Sequence, residues 1–322
     1  MKRRCTVLFS SAGRRVELIR CLRADAAALG IELSVLASDM CPAWSAACQE
    51  ADACFEVPRC TAPDFIEQLH AICMRWEVDL VIPTIDPELD VLCRHADSFR
   101  AIGTEVVIAW PAVVGLARDK LLTAEFLSAN RIPAPRTAVP EDVTLHAGDW
   151  TWPVLLKPRA GSSSIGIRRL DQPSALPAPG SLAGHIVQEL LEGTEYTVNL
   201  FFDRGGALRC VIPHRRHEVR AGEVSKGITA RHEALEAIGW SLGRLLPGAR
   251  GPLCYQAIVD REGRPAVFEI NARFGGGYPL AHHAGAPFTR WLLEEAVGLD
   301  PTCHNDWRDG VRMLRYDAAL FR

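Results

Sequence analysis

The sequence predicts an α/β protein that passes into α+β: a doubly wound parallel sheet over about residues 1–112, then a second part made of antiparallel strands. Three observations predict it. Strand patterns alternate with helical ones through the first third of the chain, the arrangement that gives parallel sheets. Near the end, "LCYQAIVD" (253–260) and "PAVFEINAR" (265–273) are separated only by "REGR", a hairpin connection. The 322 residues also exceed one ordinary core, which implies two or three domains.

Residues 5–10, "CTVLFS", read as a buried strand ending at small residues. Val16, Ile19, Leu22 and Leu29 recur at helical spacing, and Gly30 stops that helix. "ELSVLASD" is a second strand, "PDFIEQLHAICMRWEV" a helix, "DLVIPTID" a third strand and "EVVIAW" (105–110) a further one. Ser10, Ser11, Ala12 and Gly13, then Asp39, then Thr84 and Asp86 fall at strand C-termini, where ligands of such sheets are expected. One helical segment follows over 113–131, and "RIPAPRTAVP" breaks it with three prolines, as a connector does. "WPVLLKPRAGSSSIGIRRL" reads strand, Gly/Ser loop, strand; "DQPSALPAPGSLAG" (171–184) is a Pro-rich surface stretch; "HIVQELLEGTEYTVNLFFD" gives strand, acidic turn, strand.

Hydrophobic residues at 48% and charged residues at 23% describe a soluble globular chain. A net charge of −3 supplies no field to recruit nucleic acid or an anionic membrane, so neither is an expected partner. No apolar run reaches the roughly 20 residues of a membrane span, and Val7-Leu8-Phe9 is too short for the core of a signal peptide. Eleven cysteines without a Cys-x-x-Cys pair read as reduced thiols serving as small apolar residues, and a cytoplasmic location is expected.

The chemistry concentrates in the last hairpin. Period 2 puts Glu269, Asn271 and Arg273 on one strand face, and pairing across the hairpin brings Gln256 beside Glu269. A carboxylate and two amides offer the hard oxygens that Mg²⁺ takes together with phosphates. Arg273 adds a fixed positive charge for developing anionic oxygens. A solvent-facing polar strand accounts for the same alternation. Upstream, Lys157 ends an apolar strand and precedes Gly161-Ser162-Ser163-Ser164-Ile165-Gly166, a loop whose N–H groups could approach phosphate oxygens, or a plain hairpin tip. It lacks the closing Gly-Lys-Ser/Thr of a P-loop. Glu189 and Glu195 flank Leu190-Leu191, either a seat for adenine and ribose or an acidic surface turn.

The order of these features is more specific than any one of them: Lys120, Lys157 with its Gly/Ser loop, Glu189 to Glu195, Gln256, then Glu269-x-Asn271-x-Arg273. In that order the chain resembles the ATP-grasp superfamily over essentially its whole length, and is most similar to stand-alone members like one synthetase half of the carbamoyl-phosphate synthase large subunit. D-alanine–D-alanine ligase and biotin carboxylase are more distant. The resemblance implies a pre-ATP-grasp domain (1–112), a helical linker (113–135), a small lid (136–187) and a larger antiparallel-sheet domain (188–322), with ATP between the last two. It places Lys120, Lys157 and Ser162, Ser163 and Ser164 on the ATP phosphates, Glu189 and Leu191 at adenine, and Glu195 on ribose. Gln256, Glu269 and Asn271 match the metal ligands for one or two Mg²⁺, with Mn²⁺ as an alternative ion. Arg273 matches the arginine beside the transferred phosphoryl group. Many relatives have an acidic residue where this chain has Gln256, which leaves the site one negative charge short for a second metal.

The implied activity is an ATP-dependent carboxylate–amine, or carboxylate–thiol, ligase. It works through an acyl phosphate and releases ADP and phosphate, in amino-acid, peptide or secondary-metabolite biosynthesis. Its partners are a small carboxylate and an amine, and pairing in relatives implies a homodimer. The segment 213–232, "PHRRHEVRAGEVSKGITARH", is expected as a cationic loop over the reacting carboxylate, with Arg220 and Lys226 as catalytic anion contacts and His214 and His217 as surface histidines. The glycines 275–277 would allow close approach of substrate, and Ser11, Gly13, Arg14, Thr84 and Asp86 are secondary candidates for the second substrate. Alternative readings are amidation of a sugar acid in polysaccharide biosynthesis and a non-catalytic nucleotide-binding protein. A dehydrogenase reading fails because "SSAGRRVEL" lacks Gly-x-Gly-x-x-Gly.

Overall fold

The structure, a computed structural model, describes residues 3–161, 166–177 and 182–321. Among the described residues three sheets carry the fold. In the first, β1 (Arg3–Ser10), β2 (Ile31–Asp39), β3 (Ala53–Glu56), β4 (Leu80–Pro83) and β5 (Glu105–Val106) pair in parallel in the order β3-β2-β1-β4-β5. Helices α1 (Val16–Leu29), α2 (Ala46–Glu50), α3 (Phe65–Trp76) and α4 (Asp86–Ala101) make the connections. Val7, Leu8 and Phe9 are all fully buried, as a strand covered on both faces requires. α1 stops at Gly30, whose φ of +64° is left-handed and costs glycine nothing. The strand order reverses between β1 and β4, so the crevice outside their C-terminal ends opens where such sheets bind ligands.

"EVVIAW" forms only the two-residue strand β5. The Val107 N–H still bonds Val81, but Trp110 already bonds the Gly248 carbonyl, so the chain is leaving the first sheet for the third. The expected single helix over 113–131 is two helices, α5 (Pro111–Arg118) and α6 (Lys120–Ala129). Asp119, extended at φ −105° and ψ 107°, breaks them apart, and its carboxylate accepts from the Leu121 and Leu122 N–H groups as an N-cap.

The second sheet is antiparallel: β6 (Thr137–Ala138), β7 (Val154–Pro158), β8 (Arg168–Leu170) and β9 (His185–Glu189) in the order β6-β9-β7-β8, with α7 (Pro140–Leu145) beside them. It has its own small core, including Val143, Trp150, Leu156 and Val187. The third sheet is built from β10 (Thr194–Phe202), β11 (Leu208–Arg220), β12 (Glu223–Thr229), β13 (Gly251–Val259), β14 (Pro265–Asn271) and β15 (Arg312–Leu314), antiparallel in the order β14-β13-β10-β11-β12-β15. Helices α8 (Glu233–Leu245), α9 (Tyr278–His283) and α10 (Phe288–Ala296) belong to this part. Its core is continuous with that of the first sheet, Leu8 and Leu36 sharing a cluster with Val198 and Tyr255. The first and third sheets therefore form one packed body, and the second sheet is the piece with a separate core.

The segment 213–232, expected as a loop, is mostly the β11–β12 hairpin. Ala221 and Gly222, at φ +50° and +78°, make its turn, and such positive angles are those that close a two-residue hairpin. No helix among the described residues is long and apolar enough to cross a membrane.

Candidate active site

A cleft of about 400 Å³ lies between the second and third sheets and reaches the C-terminal edge of the first. From the second-sheet side, β7 delivers Lys157, whose Nζ donates to Gln188 Oε1 at 2.6 Å. The lysine is 4% exposed, and burial, reinforced by the charge of Lys120, lowers its pKa to about 8 against the pull of Glu269. Lys120, the first residue of α6, donates from Nζ to the Gly161 carbonyl at 2.7 Å and so sits at the base of the Gly/Ser loop. Ser162, Ser163 and Ser164 lie outside the described residues.

From the other side, the β13–β14 register sets Gln256 opposite Glu269 and Cys254 opposite Asn271. With its amide turned so that Nε2 donates to Glu269 Oε2 at 2.9 Å, the Gln256 oxygen accepts from Arg216. Glu269 makes no ion pair among the described residues. Burial, then Asp86, push its carboxyl above the ordinary value, while Lys120, Lys157 and Arg273 pull the other way. A half-buried carboxylate without a cation of its own, next to the amides of Gln256 and Asn271, is a donor set that suits a hard divalent ion.

Arg273 donates to Asp86 at 2.6 Å and to the Phe274 carbonyl at 2.9 Å, and its buried Nε has no partner. Burial works against its charge, but Asp86, Cys254 and Glu269 outweigh burial and hold the guanidinium above its usual value. Glu189 and Leu191 line the far end of the cleft, and the Glu189 carboxylate accepts the Arg136 N–H at 3.0 Å. Glu195 is there too, paired with Arg216.

Two expected residues are elsewhere. Arg220 and Lys226 do not line the cleft: Arg220 pairs with Asp317 and Lys226 with Glu218, both on the exposed part of the hairpin. Once 213–232 folds as a ladder, its cations divide between faces, and the one turned to the cleft is Arg216, 6% exposed. His214 is also not at the surface. It is 0% exposed, hydrogen-bonded to Asn199 at 3.2 Å, and lowered to about 3 by burial and then by Arg216 and Arg315.

Sequence reasoning missed Arg15 and Arg315. They hold the two oxygens of the cleft residue Glu223, each at 2.8 Å, and Arg315 also donates to the Gly276 carbonyl. Arg15 immediately precedes α1, and Arg315 lies in a tail with no local pattern; only the pairing of β12 with β15 brings it home. The secondary candidates Ser11 and Thr84 serve a structural role. Glu88, 0% exposed, accepts from the Ser10 and Ser11 hydroxyls at 2.6 and 2.8 Å and from the Thr84 N–H at 2.7 Å. The Gly13 N–H is taken by Asp39 at 2.9 Å.

Comparison with known proteins agrees with this architecture. The family described as ATP-grasp domain matches residues 117–277, and the one described as PylC-like, N-terminal domain matches residues 7–107. No curated protein matches the chain. Among solved structures, the biotin carboxylase domain dimer of Hydrogenobacter thermophilus 2-oxoglutarate carboxylase, in complex with MgADP, ADP and bicarbonate, superposes with a TM-score of 0.74 at 18% identity, over 95% of this chain and 73% of that one. N5-carboxyaminoimidazole ribonucleotide synthetase from Thermotoga maritima gives 0.66 at 17% identity, over 94% and 78%. L-amino acid ligase from Bacillus licheniformis gives 0.65 at 17% identity, over 92% and 75%. At these identities the likeness is one of fold.

Proposed function

The chain belongs to the ATP-grasp family, and on that premise we propose that it is a Mg²⁺-dependent ligase joining a small carboxylate to an amine, with release of ADP and phosphate. The observation that carries this reading is the convergence in one cleft of two lysines from one side with Glu269, Asn271, Gln256 and Arg273 from the other. Nucleotide binding alone needs no such set. In this reaction MgATP supplies a phosphoryl group to the acid, and the amine then displaces phosphate from the acyl phosphate.

The protein's part is to position and to neutralise charge. Lys157 and Lys120 would meet phosphate oxygens. Lys157 is the more telling, because burial has already stripped it of water and its charge acts through a poorly screening medium. Glu269 and Asn271, with Gln256 after its amide turns from Arg216, would hold the ion. Arg273, kept cationic by Asp86, would face the oxygens that gain charge. Glu189 and Leu191 would seat the base and Glu195 the ribose. The acid would enter by the glycines 275–277, where Arg15 and Arg315 stand in place of the expected Arg220 and Lys226. The biotin carboxylase neighbour is a dimer, and a homodimer is the assembly expected here.

Incubation with ATP, Mg²⁺ and a matrix of carboxylates and amines, read as ADP formation with mass detection of the condensed product, tests the proposal. The expected result is ADP and phosphate stoichiometric with an amide, lost in Lys157→Ala. AMP and pyrophosphate, or an amide formed without ATP, would overturn it.

A further inference from the structure

Outside the cleft, α1 and α9 bring together three metal-ligating side chains of the soft and borderline kind. Cys21 lies on α1, and His282 and His283 are the last two residues of α9. One ligand atom from each lies within 4.8 Å of the other two. The thiol is buried, His282 is partly buried and His283 is exposed, so the cluster opens to solvent on one side.

His282 is prepared as a ligand. Its Nε2 faces Asp25 Oδ2 at 3.0 Å, and the same carboxylate oxygen accepts the Thr289 hydroxyl at 2.5 Å. A carboxylate takes the N–H, so the proton belongs on Nε2 and the lone pair on Nδ1. That Nδ1 is buried and has no hydrogen-bond partner. A buried polar atom left unpaired is costly and calls for a partner such as an ion. A histidine oriented by a carboxylate through one nitrogen, with the other free, is the arrangement found behind metal-bound imidazoles. Asp25 stands one turn after Cys21 on the same helix, so α1 supplies both the thiol and the orienting carboxylate.

We propose that Cys21, His282 and His283 form a Zn²⁺ site with a fourth, solvent-open position, fastening α1 to α9. A thiolate and two imidazoles favour zinc over Mg²⁺ or Ca²⁺, which want oxygen. Ligand atoms around zinc sit roughly 3.3–3.8 Å apart, so closing the cluster takes a rotamer adjustment, which the exposed His283 can make. The thiol gives up its proton as the ion binds. The placement has a consequence: α1 begins just after Arg15, and α9 directly follows the glycines 275–277, both of which line the cleft. The ion would clamp those two walls together.

The test uses the full chain, tag-free, reduced and stripped of metal, and neither outcome depends on the ligase reading. Equilibrium dialysis against Zn²⁺ should load one ion per chain and raise the thermal midpoint with zinc concentration. Co²⁺ in its place should give thiolate-to-metal charge-transfer absorption. Cys21→Ser should abolish that absorption. His283→Ala, at an exposed position where folding is not at risk, should weaken zinc by roughly tenfold or more. Wild type loading no more zinc than Cys21→Ser, or His283→Ala binding as tightly as wild type, overturns the site.

Discussion

The Arg273 guanidinium and the Asp86 carboxylate meet at 2.6 Å, joining the end of β14 to the start of α4 across 187 positions of sequence. Both side chains are mostly buried, 13% and 18% exposed. Asp86→Ala leaves a buried cation without its partner, and about 3–5 kcal/mol of stability should go with it. Denaturant unfolding measures this. Asp86→Asn, which keeps a hydrogen-bond acceptor, should lose less and should lower kcat more than it raises the KM for ATP, because Arg273 would be free to turn. An unchanged kcat would separate Arg273 from the chemistry.

Lys157→Ala and Glu269→Ala should each lower ATP-dependent turnover by about 10²–10³ while far-ultraviolet dichroism stays native. Near-normal turnover in either variant removes that residue from the assignment.

The depressed Lys157 sets a pH dependence with opposite signs for binding and folding. In the free protein the lysine loses its proton near pH 8, so affinity for the triphosphate should fall as pH rises through that value. Stability should move the other way. Between about pH 8 and the unfolded value of about 10.4 the unfolded chain holds a proton that the folded chain has released, so unfolding becomes harder as pH rises through that window. Nucleotide titration and thermal scans over pH 7–10 check both signs, and Lys157→Arg should flatten both.

Gln256→Glu would place a second carboxylate opposite Glu269. Without metal the variant should be less stable than wild type through like-charge repulsion. With Mg²⁺ it should gain more in thermal midpoint than wild type does, because a charged ligand replaces a neutral one. Equal gains would mean that position 256 does not face the ion.

Gly277→Ala tests the wall of the cleft. The added methyl carbon would lie 2.6 Å from Val224 Cγ1 and 2.7 Å from His214 Nε2, and both side chains are buried. A loss of about 1–3 kcal/mol is expected from overpacking, measurable by urea unfolding.

What the sequence carried and what it did not follow one physical division. Period 2 along 267–273 and the short "REGR" turn were enough to place Gln256 beside Glu269, because hairpin register is local. Four of the parallel sheet's strands were legible as apolar runs; β3 was not, because "ACFE" is short and only partly buried at its edge of the sheet. Arg15, Arg216 and Arg315 were not legible as a group, because they meet Glu223 and Glu195 only after three distant segments assemble. Arg220 and Lys226 had the right charge, but on a strand the face decides, and two irregularities in the β11–β12 pairing hide which face each cation takes. His214 was expected at the surface and is instead buried beside Gly277, because its place on β11 turns it inward.

The central claim, that a terminal phosphoryl group is handed to a carboxylate held in this cleft, is tested most directly by oxygen transfer. The carboxylate that supports ADP release is labelled with ¹⁸O in both oxygens, and the released phosphate is weighed by mass spectrometry. The account predicts one ¹⁸O in each phosphate formed, matched one to one with amide. Phosphate carrying no label while amide accumulates would contradict it.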